Sequence, residues 1–324
     1  MFEITTPSRV HMTLIDMNGG FGRQDGSAGL TLLEGGIRLR AKKSDVISIA
    51  GFDKTCFGPG TELFDYIQKS ISPLLKEGDG IEIHLLSDVK QHIGLGSGTQ
   101  LALSAAMALN ELYDLKKSVR ELAALTKRGG TSGIGVHAFE KGGFIVDAGH
   151  KTKDKNGFVP SSRSTAPPAD LILRTEFPDW DVIVAIPPDT GISGDTEKHF
   201  FQSVCPIPKV EAFEVSHVIL MQMVPAIIEK DIASLGDAVD RLQKVGFKKH
   251  EVEIQPPEVK SLMEDFKKCG VYGAGVSSFG PAVYGFSENR KDSENIKSAL
   301  LEKMPPGSDV MITKANNSGA KWHV

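Results

Sequence analysis

The segment from residue 81 to residue 112 constrains the fold more than any other part of the chain. Residues 81–85 alternate apolar and polar side chains, which is typical of a half-buried strand. Residues 100–112 are rich in Leu, Ala and Met, which favour a helix, and they are apolar on most faces. The glycine-rich run 93–99 lies between them. The sequence therefore predicts a strand, a glycine-rich loop and a buried helix, in that order.

Strand and helix patterns alternate along the whole chain of 324 residues, which predicts an α/β or α+β protein with two domains. The clearest change in composition is at residues 151–169, which are polar, basic and rich in Ser and Pro. We expect this segment to be a long loop or linker between the two halves.

Composition excludes several classes of protein. The net charge of −4 argues against binding nucleic acid through bulk basicity. We expect no membrane segment, because no apolar stretch approaches the length that crosses a bilayer, and the first residues lack a secretory signal pattern. The 3 cysteines are far apart, which argues against a disulfide framework or a cysteine-built zinc site and predicts a cytoplasmic protein.

The glycine-rich loop is the strongest chemical signal. A helix N-terminus has backbone N–H groups without intrahelical partners and carries partial positive charge, so it can hold a phosphate. The loop lacks the Gly-Lys-Ser/Thr of a P-loop and the third glycine of a dinucleotide fingerprint. A turn that leads into a core helix without any ligand is the alternative. The predicted phosphate-binding residues are Gly94, Leu95, Gly96, Ser97, Gly98, Thr99 and Gln100.

Three motifs in order resemble those of the GHMP kinase superfamily. They are PSRVHMTLIDMNG near the start, HIGLGSGTQLALSAAMALN around the loop, and GAGVSSFGPAVYGF in the second half. The resemblance implies a two-domain α+β GHMP-kinase-like fold. Residues 1–165 would form a ribosomal-protein-like N-terminal domain, and residues 166–324 a ferredoxin-like C-terminal domain, with the site between them.

One departure from these kinases narrows the resemblance. Kinases of this group often carry Ser-Gly-Ile-Asp, whose Asp acts on the substrate hydroxyl, whereas Gly135 stands at that position here and cannot be a base. With the segment SGIGVHAFEKGGFIVDAGH, the chain resembles the β-ribofuranosylaminobenzene 5′-phosphate synthase family of archaeal tetrahydromethanopterin biosynthesis.

That family resemblance implies the chemistry of the site. Phosphoribosyl pyrophosphate would condense with 4-aminobenzoate or 4-hydroxybenzoate, a C–C bond would form, and pyrophosphate and carbon dioxide would leave. The resemblance implies Mg²⁺ as the cofactor and a homodimer, and the pyrophosphate would bind the glycine-rich loop. The sequence leaves the choice between the two benzoates open.

The first motif supplies the candidate catalytic side chains, which are Arg9, His11 and Asp16. Because a strand presents alternate residues on one face, Arg9 and His11 can point together. Arg9 would pair with a carboxylate or phosphate, His11 with the para substituent of the arene or a phosphate, and Asp16 with Mg²⁺ or the sugar cation. Ordinary surface and strand-face roles for Arg9 and His11 remain open alternatives.

Other residues are candidates for supporting roles. Arg128, before a second glycine-rich run, would contact a phosphate, although a cation at a helix C-terminus is also typical there. Asp147 would bind a metal or ribose hydroxyls. Ser193 and Glu197 lie in a possible lid that leads into a helix, where Ser193 can instead be the N-cap. The supporting-loop residues are Gly273, Gly275 and Ser277.

Two other functions remain open. The first is an ATP-dependent kinase of a small alcohol such as homoserine or mevalonate, against which Gly135 argues. The second is a protein that only binds nucleotides or a partner, against which the intact glycine-rich motifs argue.

Overall fold

The computed structural model describes residues 1–90, 92–155, 157–161, 163–188, 191 and 194–324. The strands are β1 (Phe2–Thr5), β2 (Ser8–Asp16), β3 (Arg23–Leu32), β4 (Arg38–Ser44), β5 (Ile47–Ala50), β6 (Cys56–Phe57), β7 (Gly80–Leu85), β8 (Phe144–Asp147), β9 (His150–Lys151), β10 (Leu171–Thr175), β11 (Asp181–Ile186), β12 (Tyr272–Val276), β13 (Val283–Ser287), β14 (Asp309–Lys314) and β15 (Lys321–His323). The α-helices are α1 (Glu62–Ile71), α2 (Ser97–Leu112), α3 (Val119–Leu125), α4 (Ile134–Glu140), α5 (Gly194–Val204), α6 (Lys209–Val218), α7 (Val224–Glu229), α8 (Ile232–Leu242), α9 (Gly246–Glu253), α10 (Pro257–Lys268) and α11 (Arg290–Leu301).

Helix α2 occupies the centre of the first half. It lies between two sheets, packing on β1 and β4 on one side and on α4 on the other, while α4 packs on β2, β3 and β8. The sheet under α2 has the order β15-β1-β4-β7-β5-β6, and the second sheet has the order β10-β8-β3-β2. The expected strand and the buried helix on either side of the glycine-rich loop are confirmed as β7 and α2. The small, apolar side chains of α2 allow close approach on both sides, so that the helix is buried along most of its length.

The third sheet confirms the ferredoxin-like second half. Its order is β12-β13-β11-β14 with antiparallel neighbours, so its strands in chain order are arranged 4-1-3-2. Helices α10 and α11 cover one face through residues such as Phe266 and Leu300, and α8 lies against β12 and β13. This is the expected α+β class.

The boundary expected between residues 165 and 166 does not coincide with a boundary between sheets. Strand β10 follows that point but pairs with β8, and β15 at the far end of the chain pairs with β1. The described residues of segment 151–169 do not form a free linker, because they are anchored to the first half. Lys155 is buried and its Nζ lies 2.9 Å from Asp25 Oδ2 and 2.8 Å from Thr131 Oγ1, which fixes the segment to the first half.

Helices α6 and α7 join through a π-helical turn, Ile219–Met223, into one long helix. This helix, Lys209–Glu229, is long and apolar enough to cross a membrane by length and composition alone, so the expectation that no stretch has that length is wrong. One face is buried in the protein core through residues such as Val215, Val218 and Met223. That packing is typical of a core helix in a globular protein.

Candidate active site

The glycine-rich loop opens onto a cleft of about 360 Å³ between the two halves of the chain. Gly94 and Gly96 have φ angles of +88° and +80°, in the left-handed region that favours glycine, and α2 begins at the next residue, Ser97. Thr99 and Gln100 donate backbone N–H groups to the Gly96 oxygen at 3.1 and 3.3 Å. Helix geometry leaves the backbone N–H groups of Ser97 and Gly98 without intrahelical partners. The loop is therefore suited to binding an anion.

Eight of the 17 predicted site residues line this cleft. Leu95 is buried in the core, and Gln100 is buried with its Nε2 donating to the Gly135 oxygen at 2.8 Å. The predicted residues that line the cleft are Arg9, Gly94, Gly96, Ser97, Gly98, Thr99, Arg128 and Glu197.

Ser277 supports the loop from the second half, as predicted. Its Oγ donates to the Gly94 oxygen at 2.6 Å and accepts the His11 N–H at 3.0 Å. A side chain on Gly94 would not fit, because a Cβ there would lie 2.6 Å from the Ser277 carbonyl oxygen. The third motif therefore holds the glycine-rich loop against β2.

Gly273 and Gly275 do not shape a turn against the loop, so that part of the prediction is wrong. Both lie in β12. A Cβ on Gly273 would lie 3.0 Å from the backbone of Gly236 in α8, and one on Gly275 would lie 2.6 Å from the Tyr284 ring. These glycines allow close packing inside the second half.

Arg9 and His11 of β2 interact electrostatically, but only Arg9 lines the cleft. Arg9 lies against Gly96, and its Nη1 donates to the Gly94 oxygen at 2.5 Å. Burial lowers the pKa of Arg9 to about 10, with Glu251 opposing the shift, so the guanidinium stays charged at neutral pH. His11 is buried behind it, outside the cleft lining, and its Nδ1 has no hydrogen-bond partner in the described part of the chain.

The environment of His11 keeps the ring neutral. Burial, and then the charges of Arg9 and Lys248, hold the pKa of His11 well below its usual range. Lys248 is itself buried and forms an ion pair with Glu251 at 2.5 Å. A buried layer without net charge, made of a neutral imidazole and a Lys–Glu ion pair, therefore lies behind the arginine, and His11 has the position of a supporting residue.

Asp16 lies outside the cleft lining. Its Oδ1 accepts the backbone N–H groups of Asn18 and Gly19, both at 2.9 Å. The carboxylate thus closes the turn after β2, a common role for Asp that explains its position without a metal or sugar.

Arg128 faces the loop from the opposite wall, together with Tyr66 of α1. The Arg128 Cζ lies 5.1 Å from the centroid of the Tyr66 ring, and the Tyr66 hydroxyl donates to the Gly98 oxygen at 2.6 Å. The Nε of Arg128 is buried without a hydrogen-bond partner among the described residues. Two guanidinium groups therefore flank the loop, a donor set that suits a multiply charged phosphate.

Asp147 acts behind the cleft. Its carboxylate accepts the Ser27 hydroxyl and the N–H groups of Gly133 and Gly149, the last two at 2.9 Å. Burial raises the pKa of Asp147 to about 6. The contacts fix the turn that carries Ser132, a cleft residue, and they do not place Asp147 where a ribose or metal would bind.

Gly135, at the position of the kinase aspartate, lines the cleft beside Thr99. A Cβ there would lie 3.0 Å from the Thr99 methyl carbon. A side chain at residue 135 would therefore have to shift the Thr99 side chain at the start of α2.

The wall formed by α5 carries Glu197, which is partly buried beside aromatic side chains. Phe279 lines the same cleft, and its ring centroid lies 5.4 Å from that of Phe200 in α5. Burial, with a further contribution from Glu251, raises the pKa of Glu197 to about 7. Ser193 lies outside the described residues.

Sequence reasoning missed Tyr66, Ser132 and Phe279 as cleft residues. Ser132 and Phe279 lie inside glycine-rich runs, so proximity to those glycines was an available signal. Tyr66 lies on an amphipathic helix, where nothing distinguishes it from a packing residue.

The described residues of the cleft are better suited to a cation that arrives bound to the substrate than to a metal ion held by the protein alone. Within the described ranges no group of three His, Cys, Asp or Glu side chains could hold a metal ion. Mg²⁺ commonly binds through substrate phosphates and water with few protein ligands, and the hydroxyls of Ser97 and Thr99 lie beside the expected phosphate position.

Comparison with known proteins agrees with this architecture. The family model "GHMP kinases N terminal domain" matches residues 62–143, and "GHMP kinases C terminal" matches residues 223–306. The crystal structure of L. major mevalonate kinase in complex with R-mevalonate has a TM-score of 0.71 at 15% identity, covering 97% of this chain and 95% of that chain.

Curated relatives are similar over their full length. Beta-ribofuranosylphenol 5′-phosphate synthase of Archaeoglobus fulgidus is 41% identical, covering 100% of both chains. The protein of the same name from Methanothermobacter thermautotrophicus is 43% identical, covering 98% of this chain and 97% of the relative. Their names specify the phenol product, one of the two that the sequence left open. The chain therefore belongs to the β-ribofuranosylphenol 5′-phosphate synthase family, within the GHMP kinase superfamily.

Proposed function

We propose that the protein condenses phosphoribosyl pyrophosphate with 4-hydroxybenzoate, releasing pyrophosphate and carbon dioxide and forming β-ribofuranosylphenol 5′-phosphate. 4-Aminobenzoate is the second candidate acceptor, and the names of the full-length relatives favour the phenol. The observation that carries the proposal is the loop of Gly94–Thr99 at the start of α2, flanked by Arg9 and Arg128 in one cleft.

The chemistry requires the site to stabilise a leaving diphosphate and to hold an arene against the ribose. Backbone N–H groups at the start of α2 and the two guanidinium groups suit the diphosphate, because they present fixed positive charge where negative charge develops. Phe279 provides an apolar wall for the arene in the same cleft. When bound, Mg²⁺ would neutralise diphosphate charge, which helps that group to leave.

The test is to mix the protein with phosphoribosyl pyrophosphate, Mg²⁺ and each benzoate carrying a labelled carboxyl carbon. We expect labelled carbon dioxide and a riboside phosphate in equal amounts. The absence of both products with either acid, from protein that is folded by circular dichroism, would contradict the proposal.

A small-molecule kinase is the second candidate, supported by the fold it shares with mevalonate kinase. Gly135 argues against it, because the position offers no carboxylate and a side chain there would crowd Thr99. Incubation with ATP and either homoserine or mevalonate tests this function directly, since a kinase would release ADP. A protein that only binds a nucleotide or a partner would yield neither ADP nor carbon dioxide.

The cellular role is proposed on the same basis. The reaction would supply a riboside for tetrahydromethanopterin biosynthesis in the cytoplasm, and the relatives come from archaea. A homodimer is also proposed. The long helix Lys209–Glu229 exposes apolar side chains, among them Leu220, Met221 and Ile228, that a second copy would cover. Sedimentation of the pure protein tests the dimer.

A further inference from the structure

Glu197 is a cleft carboxylate with no structural task in the described part of the protein. No hydrogen bond or ion pair joins its side chain to another described residue, whereas Asp195, two residues earlier on α5, pairs with Arg163 at 2.5 Å. Nearby Lys248 pairs with Glu251 instead. The carboxylate of Glu197 is therefore available to a ligand.

The charges around Glu197 favour a carboxyl that exchanges a proton near neutral pH. Burial raises its pKa to about 7, and Glu251 on α9 adds repulsion. Lys248 on α9 is neutralised by its ion pair with Glu251, and Arg9 on β2 donates to the Gly94 oxygen. The other charged or titratable side chains that line the cleft are Glu62, His92 and Arg128.

Aromatic side chains adjoin this carboxylate. Phe200 lies three residues after Glu197 on α5, which puts both side chains on one face of the helix. The Phe200 ring meets the ring of Phe279, a cleft residue, at an interplanar angle of 88°. Because Glu197, Phe279 and the glycine-rich loop line one cleft, an arene that binds against Phe279 would share that cavity with the carboxylate and the loop.

We propose that Glu197 is the general base that accepts the proton of the para hydroxyl while the arene attacks the ribose carbon. This inference rests on the proposed function and adds to it the residue that activates the acceptor. A hydroxyl that loses its proton donates electrons far more strongly to the carbon para to it, which is the carbon that carries the carboxylate.

The electron and proton balance closes within this site. A C–C bond forms at the ring carbon that bears the carboxylate, and the bond from ribose to pyrophosphate breaks, its electron pair leaving with pyrophosphate. The electron pair of the para O–H bond moves into the ring, and the proton moves to Glu197. The product is a dienone whose carboxylate is on a tetrahedral carbon. The bond to the carboxylate then breaks, its electrons restore the aromatic ring, and the oxygen regains the proton from Glu197. No oxidant or reductant is needed.

The test compares Glu197→Gln with wild type on two acids. With 4-hydroxybenzoate we expect kcat to fall by about 10²- to 10⁴-fold, the usual contribution of a general base. With 4-(dimethylamino)benzoate, which has no para proton to lose, the same substitution should change kcat only slightly. Pyrophosphate affinity by calorimetry should match wild type, which also shows that the variant is folded.

The pH profile provides a second readout. Because the ionised carboxylate is the active form, wild-type kcat/KM for 4-hydroxybenzoate should rise with pH through about 7, and Glu197→Gln should lack that rise. The sugar phosphate of the substrate titrates in the same way with wild type and with Glu197→Gln, so its effect cancels in the ratio of their kcat/KM values. Glu197→Asp should keep the rise with a lower kcat, and Asp195→Asn on the same helix should behave as wild type.

Two results would overturn the inference: wild-type turnover and pH profile in Glu197→Gln, or an equal loss with both acids, which would indicate a steric role. Both leave the proposed function intact, because wild type would still release carbon dioxide. If wild type releases none with either benzoate, the proposed function fails and the role of Glu197 fails with it.

Discussion

Replacement of Gly96 by alanine tests the loop at the point where it meets Arg9. Gly96 has a φ angle of +80°, and a Cβ there would lie 3.0 Å from Arg9 Nε and 3.1 Å from Cζ. Alanine would therefore add backbone strain of about 1–2 kcal/mol. It would also push the guanidinium away from the Gly94 oxygen and from the phosphate position.

The expected loss of affinity follows from the displaced guanidinium. A hydrogen bond to a charged group contributes about 1.5–3 kcal/mol. At about 1.36 kcal/mol for each tenfold change, the Kd for pyrophosphate should rise by about 10- to 150-fold. The measurement is calorimetric titration with pyrophosphate and Mg²⁺ at fixed ionic strength, and the KM for phosphoribosyl pyrophosphate should rise with it.

Gly78→Ala is the matched control for backbone strain. Gly78 has a φ angle of +85°, and a Cβ there would meet nothing within 4 Å. Gly78→Ala should therefore lower the free energy of unfolding about as much as Gly96→Ala does, while leaving the affinity for pyrophosphate unchanged. Wild-type affinity in Gly96→Ala, or equal losses of affinity in both variants, would refute the reasoning.

Three further substitutions test other parts of the structure. Arg9→Ala should reduce carbon dioxide release by about 10²-fold or more, because the charge beside the leaving group is lost, whereas exposed Arg241→Ala should not; equal rates would contradict this. Lys155→Met should lower the free energy of unfolding in urea by about 3 kcal/mol, since it leaves a buried carboxylate short of a partner, and exposed Lys153→Met should not change it. Burial raises the pKa of Asp147 to about 6, so the native state holds a proton there that the unfolded chain has lost, and stability should fall as pH rises from about 4 to 6. Asp147→Asn should flatten that slope; an unchanged slope would contradict the prediction.

Local composition was sufficient to predict the glycine-rich loop and the buried helix that follows it. The run of Leu, Ala and Met in α2 fits only a buried helix, and the glycines before it fit only a loop with unusual φ angles. The order of three motifs then implied both domains and the cleft between them, because the third motif contacts the second through Ser277 and Gly94.

Long-range contacts decided what composition could not. Nothing local indicates that Gly273 packs on α8. The role of Asp16, by contrast, was available locally, since its partners Asn18 and Gly19 follow within three residues. The position of Lys155 is a further example, since a basic and Ser-rich segment resembles a linker until a buried carboxylate is found opposite it. The raised pKa of Glu197 likewise depends on burial in the folded protein and on Glu251, which is distant in sequence.

The pairing of β15 with β1 has a consequence for biosynthesis. Residues 321–323 supply the outer strand beside Phe2–Thr5, and the Trp322 ring stacks on Phe139 at 6.2 Å. A nascent chain therefore cannot complete its first sheet until the entire second half has left the ribosome. Until then, the edge of β1 in the first half is unpaired. Chaperone protection or fast translation of the second half would then determine how much enzyme is recovered.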